Sequence, residues 1–585
     1  ETHISWVLVG ETEVWKLKKP VSMGFLDFGT LEQRKAACEA EVALNRRLAP
    51  HVYLGVCPVR RDADGRLVID RAHEADALSA PTAPGAPIDW AVHMRRLPDR
   101  DRADIRLVEG RLHREHVDRI ARRLAEFHAE ARCDASTAAY GRPEAIAVNV
   151  RENFVQTRDS IAHFLSPAQA QEIERTQLER LEQHGELFLA RVETERVRDG
   201  HGDLRLEHVY LSDEPAAARA GDGGVTIIDC IEFNDRFRYA DVAADLAFLA
   251  MDLSEHGHVE LSEHLVARYA QHAGDHDLYA VLDFYESYRA YVRGKIATFV
   301  ATGPDVDHER RLRAEASARH CFLLALAAER RPLLEPMVVA VGGIIASGKS
   351  TVADRLGFEM SAPVVDADRT RKQLLGVQAT APVHEGAWQG AYDPTFTEAV
   401  YAEVFRRAAV VLESGRSVIV EASFRSRALR ARARELAARH GVPFRLVECR
   451  ASPEICRQRL RERARGASVS DGRLEIFDDF VARWEPIDEL PPDEHLVIDT
   501  AQALTDNLVV KVQKFNGNPI AIEFPAIVEM TIAQTEEGAR GNTASGSVTK
   551  PATTESGLEI QVPLFIKEGE RVKVHTETRE FAGRA

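Results

Sequence analysis

Gly343-Ile-Ile-Ala-Ser-Gly-Lys-Ser-Thr351 is a complete phosphate-binding loop, and the residues on either side of it decide how it is read. Before it stands the apolar run Met337-Val-Val-Ala-Val-Gly342, which suits a buried strand. After it, Thr351-Val-Ala-Asp-Arg-Leu356 continues as a helix. A strand, a glycine turn and a helix in that order aim backbone N–H groups and a helix N-terminus at one spot, which favours an anion there. Gly343, Ser347 and Gly348 then shape the cradle. Lys349 reaches the β- and γ-phosphates, Ser350 offers its hydroxyl to Mg²⁺, and Thr351 opens the helix. The expected ligands are ATP and Mg²⁺.

A chain of 585 residues is long enough for three or four domains, each with its own core. No apolar run is long enough to span a bilayer, so no membrane partner is expected. A net charge of −16 argues against a general polyanion binder, and no DNA partner is expected. The cysteines at 38, 57, 133, 230, 321, 449 and 456 form no C-x-x-C pair. That scatter suits a reducing cytoplasm and offers neither a disulfide framework nor a zinc site. The chain opens on Glu1 and enters a strand with no signal peptide, so the natural start is expected upstream and the location cytoplasmic.

Texture divides the chain. Residues 1–315 pair early strands (Ser5-Trp-Val-Leu-Val, Glu13-Val-Trp-Lys-Leu-Lys) with helical stretches at 113–130 and 259–300. Segment 308–335 is helical in period and ends at Pro332 and Pro336, giving a linker helix at 316–336. Residues 337–506 alternate strands (337–342, 417–421, 444–449) with helices, the pattern of a parallel sheet. From 507 to 585 the pattern turns all-β, with Leu558-Glu-Ile-Gln-Val and Arg571-Val-Lys-Val as strands.

In the first region, His201-Gly-Asp-Leu-Arg-Leu-Glu-His-Val-Tyr-Leu is followed by Val225-Thr-Ile-Ile-Asp-Cys-Ile-Glu. This resembles the catalytic core of aminoglycoside phosphotransferases and related kinases, which implies an α+β protein-kinase-like fold. The resemblance makes Asp203 the carboxylate that takes the acceptor's proton and Asp229 a Mg²⁺ ligand. It also makes Lys18, in Trp15-Lys-Leu-Lys-Lys-Pro, the phosphate-contacting lysine, with Glu41 as its partner and Trp90-Ala-Val-His-Met-Arg-Arg-Leu-Pro as the adenine hinge. Asp241 and Asp245 fall in a region with structural roles. Where the family carries Asn as second metal ligand, this chain has His208. Imidazole is a poorer partner than oxygen for Mg²⁺, so two readings stay open: turnover with one metal, or binding without turnover.

Beyond the phosphate-binding loop, Val364-Val-Asp-Ala-Asp-Arg-Thr-Arg-Lys-Gln-Leu resembles the acceptor-side segment of small P-loop kinases. There Asp368 would approach the acceptor hydroxyl or Mg²⁺, and Arg371 would neutralise phosphate. Gly415-Arg-Ser-Val-Ile-Val-Glu-Ala-Ser-Phe resembles their second acidic strand, with Glu421 able to hold a metal-bound water. Cys456-Arg-Gln-Arg-Leu-Arg-Glu-Arg resembles the lid helix, with Arg459 and Arg463 on one face. No guanine-specificity motif is found, which favours ATP.

The tail closely resembles the C-terminal part of bacterial elongation factor P. The run from Lys550 to Gly569 fits its signature at Ala552, Gly557, Ile560, Val562, Pro563 and Ile566. The resemblance implies a partial hairpin at 507–527 and an OB-type barrel at 528–585 that could touch the ribosome. Residues 511–585 hold 9 Lys or Arg against 10 Glu, no basic excess with which to grip RNA. The two resemblances meet near 499–510, in the last helix of one domain and inside the other, without a Gly/Ser/Pro linker.

The expected protein is therefore multidomain: an α+β kinase-like domain, an α/β P-loop domain with a parallel sheet, and an all-β OB-type barrel. Its expected activity is phosphoryl transfer from ATP to a small-molecule hydroxyl. The alternatives are a translation-associated protein acting through its tail, and a regulatory protein whose first domain binds without catalysing.

Overall fold

The computed structural model describes residues 4–23, 26–70, 86–214, 223–303, 306–327, 335–383, 388–466, 468–500, 511–515, 518–523, 527–535, 549–555, 559–575 and 580–585. The chain divides into two units, Glu1–Arg330 and Arg331–Ala585. Among the described residues no helix is long and apolar enough to cross a membrane.

The first unit begins with an antiparallel sheet in the spatial order Ser5–Val9, Glu13–Lys18, Asp89–Arg95, Tyr53–Arg61, Leu67–Ile69. Against it packs the helix Leu31–Asn45, started by a reciprocal cap. The Thr30 hydroxyl accepts from the Gln33 N–H, and the Gln33 side chain accepts from the Thr30 N–H. Cys38 and Val42 of that helix share a core with Val52, Tyr53, Trp90, Val92 and Met94. Two short antiparallel pairs, Val197–Asp199 with Tyr239–Asp241 and Val209–Leu211 with Val225–Ile227, then hold the loops carrying Asp203 and Asp229.

The rest of this unit is helical. Val242–Glu255 is buried continuously from Val242 to Leu253, as befits a helix enclosed by others. The stretch 259–300, expected as one helical run, divides into Val259–Ala273 and Leu282–Ala301. Gly274 ends the first of these at φ +61°. His308–Ala327 lies against Leu282–Ala301. Its buried Ala318, Cys321, Phe322 and Ala325 recur at helical spacing, and Phe322 meets Tyr291 edge-on at 5.1 Å. A methyl group on Gly294 would stand 2.7 Å from the Phe322 ring. Up to Ala327, then, the segment expected as a linker at 316–336 packs into the first unit, because it carries its own apolar stripe. Residues 328–334 lie outside the described residues.

The second unit contains a five-stranded parallel sheet in the order Val364–Asp366, Val418–Glu421, Val338–Gly342, Phe444–Arg450, His495–Asp499. Three of these are the strands read from sequence; the first and last were not. Val338–Gly342 is wholly buried, as a central parallel strand must be. The last helix of the domain, expected near 499–510, lies beyond Thr500 outside the described residues.

In the tail, Lys511–Phe515 and Asn518–Glu523 form an antiparallel hairpin. A second antiparallel sheet runs Glu559–Pro563, Thr549–Thr554, Ile527–Thr535, Arg571–His575, Phe581–Arg584. Alternate residues point inward: Val528, Met530, Ile532, Ile560, Val562, Val572 and Val574 make its core. This is the all-β module expected at 528–585.

Truncating a buried phenylalanine costs about 3–5 kcal/mol, the lost burial plus the cavity left behind. Phe322→Ala should therefore lower the unfolding temperature of the first unit by several degrees. A wild-type melting curve would show instead that the helix His308–Ala327 is a detached connector.

Candidate active sites

The chain leaves the central strand at Gly342 and turns at Gly343, whose φ is +149°. A Cβ at Gly343 would stand 2.5 Å from the Cys449 carbonyl oxygen and 2.5 Å from Ser347 Oγ, so only glycine fits. Gly348, at φ +88°, is the N-cap of the helix Lys349–Met360. Ala346 is also left-handed, at φ +60°. The loop is braced from behind: Thr500 Oγ1 donates to the Ser347 carbonyl at 2.7 Å, and Arg459 Nη1 donates to the Ala346 carbonyl at 3.3 Å. Ser347 is fully buried, and its Oγ has no hydrogen-bond partner among the described residues. A cradle closed to side chains, with an unmatched buried hydroxyl, fits a phosphate group. Lys349 Nζ rests on the Ile344 carbonyl at 3.0 Å, and Ser350 and Thr351 are exposed at the helix start.

Beside the loop lies a pocket at the C-terminal ends of the strands, where open α/β sheets bind ligands. Lys349, Asp368, Glu421 and Arg371 line it, together with Trp388 and Arg425. Asp366 ends its strand and caps the helix Ala367–Leu374 by accepting from Arg369 N–H at 2.6 Å. Two residues on, half-buried Asp368 has neither an ion pair nor a hydrogen bond among the described residues. Burial pushes the Glu421 carboxyl up to about 8, with Lys349 opposing and Asp366 adding to the rise. Burial likewise lifts Asp366 to about 7. Arg459, expected in the lid, is committed to Ala346 and Thr500, and Arg463, half-buried, is not a pocket residue.

In the first unit, Asp203 and Asp229 sit on neighbouring loops. The Asp245 carboxylate accepts from the N–H groups of His201 (2.6 Å) and Gly202 (2.8 Å), and Asp252 accepts from Leu206 N–H at 2.8 Å. Asp241 caps the same helix and pairs with Arg191 at 2.8 Å, so both aspartates read as structural do hold the fold. Burial would raise the Asp203 carboxyl, but the Arg205 guanidinium at 3.1 Å wins and holds it at about 2. His208 Nδ1 donates to the Asp203 carbonyl at 2.7 Å, which leaves Nε2 facing Asp229 at 3.7 Å. Asp229 itself is left-handed, at φ +65°.

Glu41 takes both lysines: Lys18 at 2.5 Å and Lys16 at 3.0 Å. Lys18 is fully enclosed and also bound to Glu232, while Lys16 reaches Asp229 at 2.6 Å. Two residues apart on one strand, they share a face, and depth alone separates them. The spacing could not show which one faces Asp229. Trp388, Tyr392, Tyr401, Ser423, Arg425 and Thr500 also went unread as site residues. Ser423 falls within the quoted segment Gly415–Phe424 without a role assigned to it there. The others lie in no motif, and tertiary folding alone brings Trp388, Tyr392, Tyr401 and Arg425 to the pocket and Thr500 to the back of the loop.

An AAA domain family model matches residues 338–487, and the model of the elongation factor P C-terminal domain matches residues 528–584. The uncharacterized protein Rv2004c of Mycobacterium tuberculosis is 32% identical over 506 residues, covering 85% of this chain and 93% of that protein. Elongation factor P of Oleidesulfovibrio alaskensis is 51% identical over 81 residues, 14% of this chain and 43% of the factor's own length. Among solved structures, a gluconokinase from Sinorhizobium meliloti aligns with 30% of this chain and 86% of its own, at 20% identity and a TM-score of 0.21.

Two carboxyls that hold protons in the folded state but not when unfolded make stability fall as pH rises. The loss should run from the ordinary carboxylate range near 4 up through about 7 and about 8. Thermal melts of the ligand-free protein should show the second unit losing stability from mildly acidic to mildly alkaline pH. Glu421→Gln should flatten that slope, and an unchanged slope in the variant would show that Glu421 does not titrate there.

Proposed function

Because this chain belongs to the family of the mycobacterial protein Rv2004c, and carries within it a P-loop AAA domain and an elongation factor P C-terminal domain, we propose that it is an ATP-dependent phosphotransferase acting on a small-molecule hydroxyl. One observation carries the reading: Lys349, Asp368 and Glu421 line one pocket immediately beside the phosphate cradle. A kinase needs a base by the acceptor oxygen, a cation on the transferring group and oxygen ligands for Mg²⁺. Asp368, with no partner to hold it, would take the hydroxyl proton. Lys349 would leave the Ile344 carbonyl for the β- and γ-phosphates. Ser350 and Glu421 would hold Mg²⁺, directly and through water. Bound Mg²⁺·ATP supplies the phosphoryl group and neutralises charge as it transfers. Seven cysteines without a disulfide suit the cytoplasm, where we place the protein.

In the first unit we read a second phosphotransfer module, similar to aminoglycoside phosphotransferases. Asp203 would be its base, Asp229 its metal ligand and Glu41 the partner of its phosphate-contacting lysine. We assign that lysine as Lys16 rather than Lys18, since Lys16 is the one reaching Asp229. A binding-only reading of this unit rests on His208, whose Nε2 faces Asp229 where an oxygen ligand would suit Mg²⁺ better. The elongation factor P match favours a further role, contact with the ribosome through residues 528–585.

The readings separate by variant. Lys349→Ala should reduce ADP release from ATP by about a hundredfold or more, the scale of losing a transition-state charge contact. Asp203→Ala should leave that P-loop turnover intact. If Lys349→Ala keeps full turnover and Asp203→Ala loses it, the activity belongs to the first unit and the principal proposal fails. Lys349→Ala should still cosediment with ribosomes if the tail binds them. Absence of cosedimentation by the wild-type chain would remove that role.

A further inference from the structure

The charges in the P-loop pocket bear on the acceptor. Two of its guanidiniums have no carboxylate within 4.0 Å among the described residues. Arg371 is 5% exposed, and Nη1 donates to the Ala391 carbonyl and, at 3.4 Å, to Thr397 Oγ1. Its guanidinium stands over the Tyr392 ring at 4.5 Å, and its buried Nε has no hydrogen-bond partner among the described residues. Arg425 is half-buried and lies over Trp388 at 4.3 Å. The other buried arginines of this domain are each held by an acid: Arg407 by Glu403 at 2.7 Å and Arg430 by Glu489 at 2.6 Å. A buried cation without a counter-charge is costly unless a ligand provides one.

The backbone on this side of the pocket is strained. Trp388 is left-handed at φ +63°, with Phe480 stacked on it at 4.6 Å. Phe424, at φ +47°, is fully buried and sets the neighbouring Arg425 at the pocket wall. Bulky residues persist at such angles where surrounding contacts enforce them, commonly at ligand sites.

We infer that the acceptor is an alcohol that also carries an oxyanion, a carboxylate or a phosphate monoester, bound by Arg371 and Arg425 with its hydroxyl at Asp368. The inference rests on the phosphotransfer reading above. The planar donors of a guanidinium match both oxyanions, whereas a neutral polyol would leave both arginines unmatched. In the reaction the hydroxyl oxygen bonds to the γ-phosphorus, the bond to the β-bridging oxygen breaks, ADP leaves, and the hydroxyl proton passes to Asp368.

The test uses the full chain saturated with ADP and Mg²⁺, titrated with inorganic phosphate and, separately, with acetate, and followed by calorimetry. Saturable millimolar binding of either probe is expected, weakened about tenfold or more in Arg425→Ala, as loss of one charged hydrogen-bond partner implies. Arg425→Gln guards against a folding defect, and exposed Arg461→Ala should bind as wild type. Phosphate alone binding points to a phosphorylated acceptor; acetate binding points to a carboxylated one. Failure of both probes to bind overturns the inference. So does binding that survives Arg425→Ala, since it would report the γ-phosphate position instead. ADP binding in the same samples tells the failures apart. Normal ADP binding without anion binding sinks this inference only. Loss of ADP binding sinks the phosphotransfer reading and this one with it.

Discussion

The P-loop domain is organised by a single close approach, that of Gly343 to the Cys449 carbonyl and Ser347 Oγ, at distances where no side chain fits. That contact folds the loop back onto the strand Phe444–Arg450 and starts the helix Lys349–Met360 beside the central strand. The parallel neighbours Val364–Asp366 and Val418–Glu421 then end level with the loop and deliver their terminal carboxylates to it. Arg459 and Thr500 brace the loop from the other side, which makes the cradle rigid before any ligand arrives. Preorganised donors of this kind lose little freedom on binding.

The two sites treat charge differently. Around Asp229 and Asp203 the charges are closely matched: Lys16 with Asp229, Lys18 with Glu41 and Glu232, Arg205 with Asp203. A metal entering there has to displace an ammonium from Asp229. In the P-loop pocket the charges stand apart, with Asp368, Arg371 and Arg425 lacking counter-ions among the described residues, while burial raises Glu421 and Asp366. One site is electrostatically satisfied in itself, and the other has binding capacity to spare.

What could be read from the residues follows from how local each signal is. The phosphate cradle is nine consecutive residues with strand and helix period on its flanks, so the central strand and the parallel sheet were legible without tertiary information. The alternating strands of the all-β tail were legible for the same reason. Val364–Asp366 and His495–Asp499 were missed because short or edge strands carry too few residues for a period to show. The packed role of His308–Ala327 was missed because a helix bordered by prolines looks alike whether its apolar stripe meets a domain or not. Lys16 and Lys18 share strand and face, so only depth distinguishes them. Arg425 and Trp388 belong to no motif at all, and their meeting is a property of the fold.

The helix Val242–Glu255 has an unobvious dynamic consequence. Asp245 and Asp252, two turns apart on it, accept the N–H groups of His201, Gly202 and Leu206. A surface loop ordinarily exchanges its amide protons through small local openings. Here the loop bearing Asp203 is tethered through its own amides to the most enclosed helix of its unit. Exchange of those three protons requires the loop to part from the two buried carboxylates. The loop thus takes its order from the core of its unit, since amides on both sides of Asp203 are anchored to one buried helix.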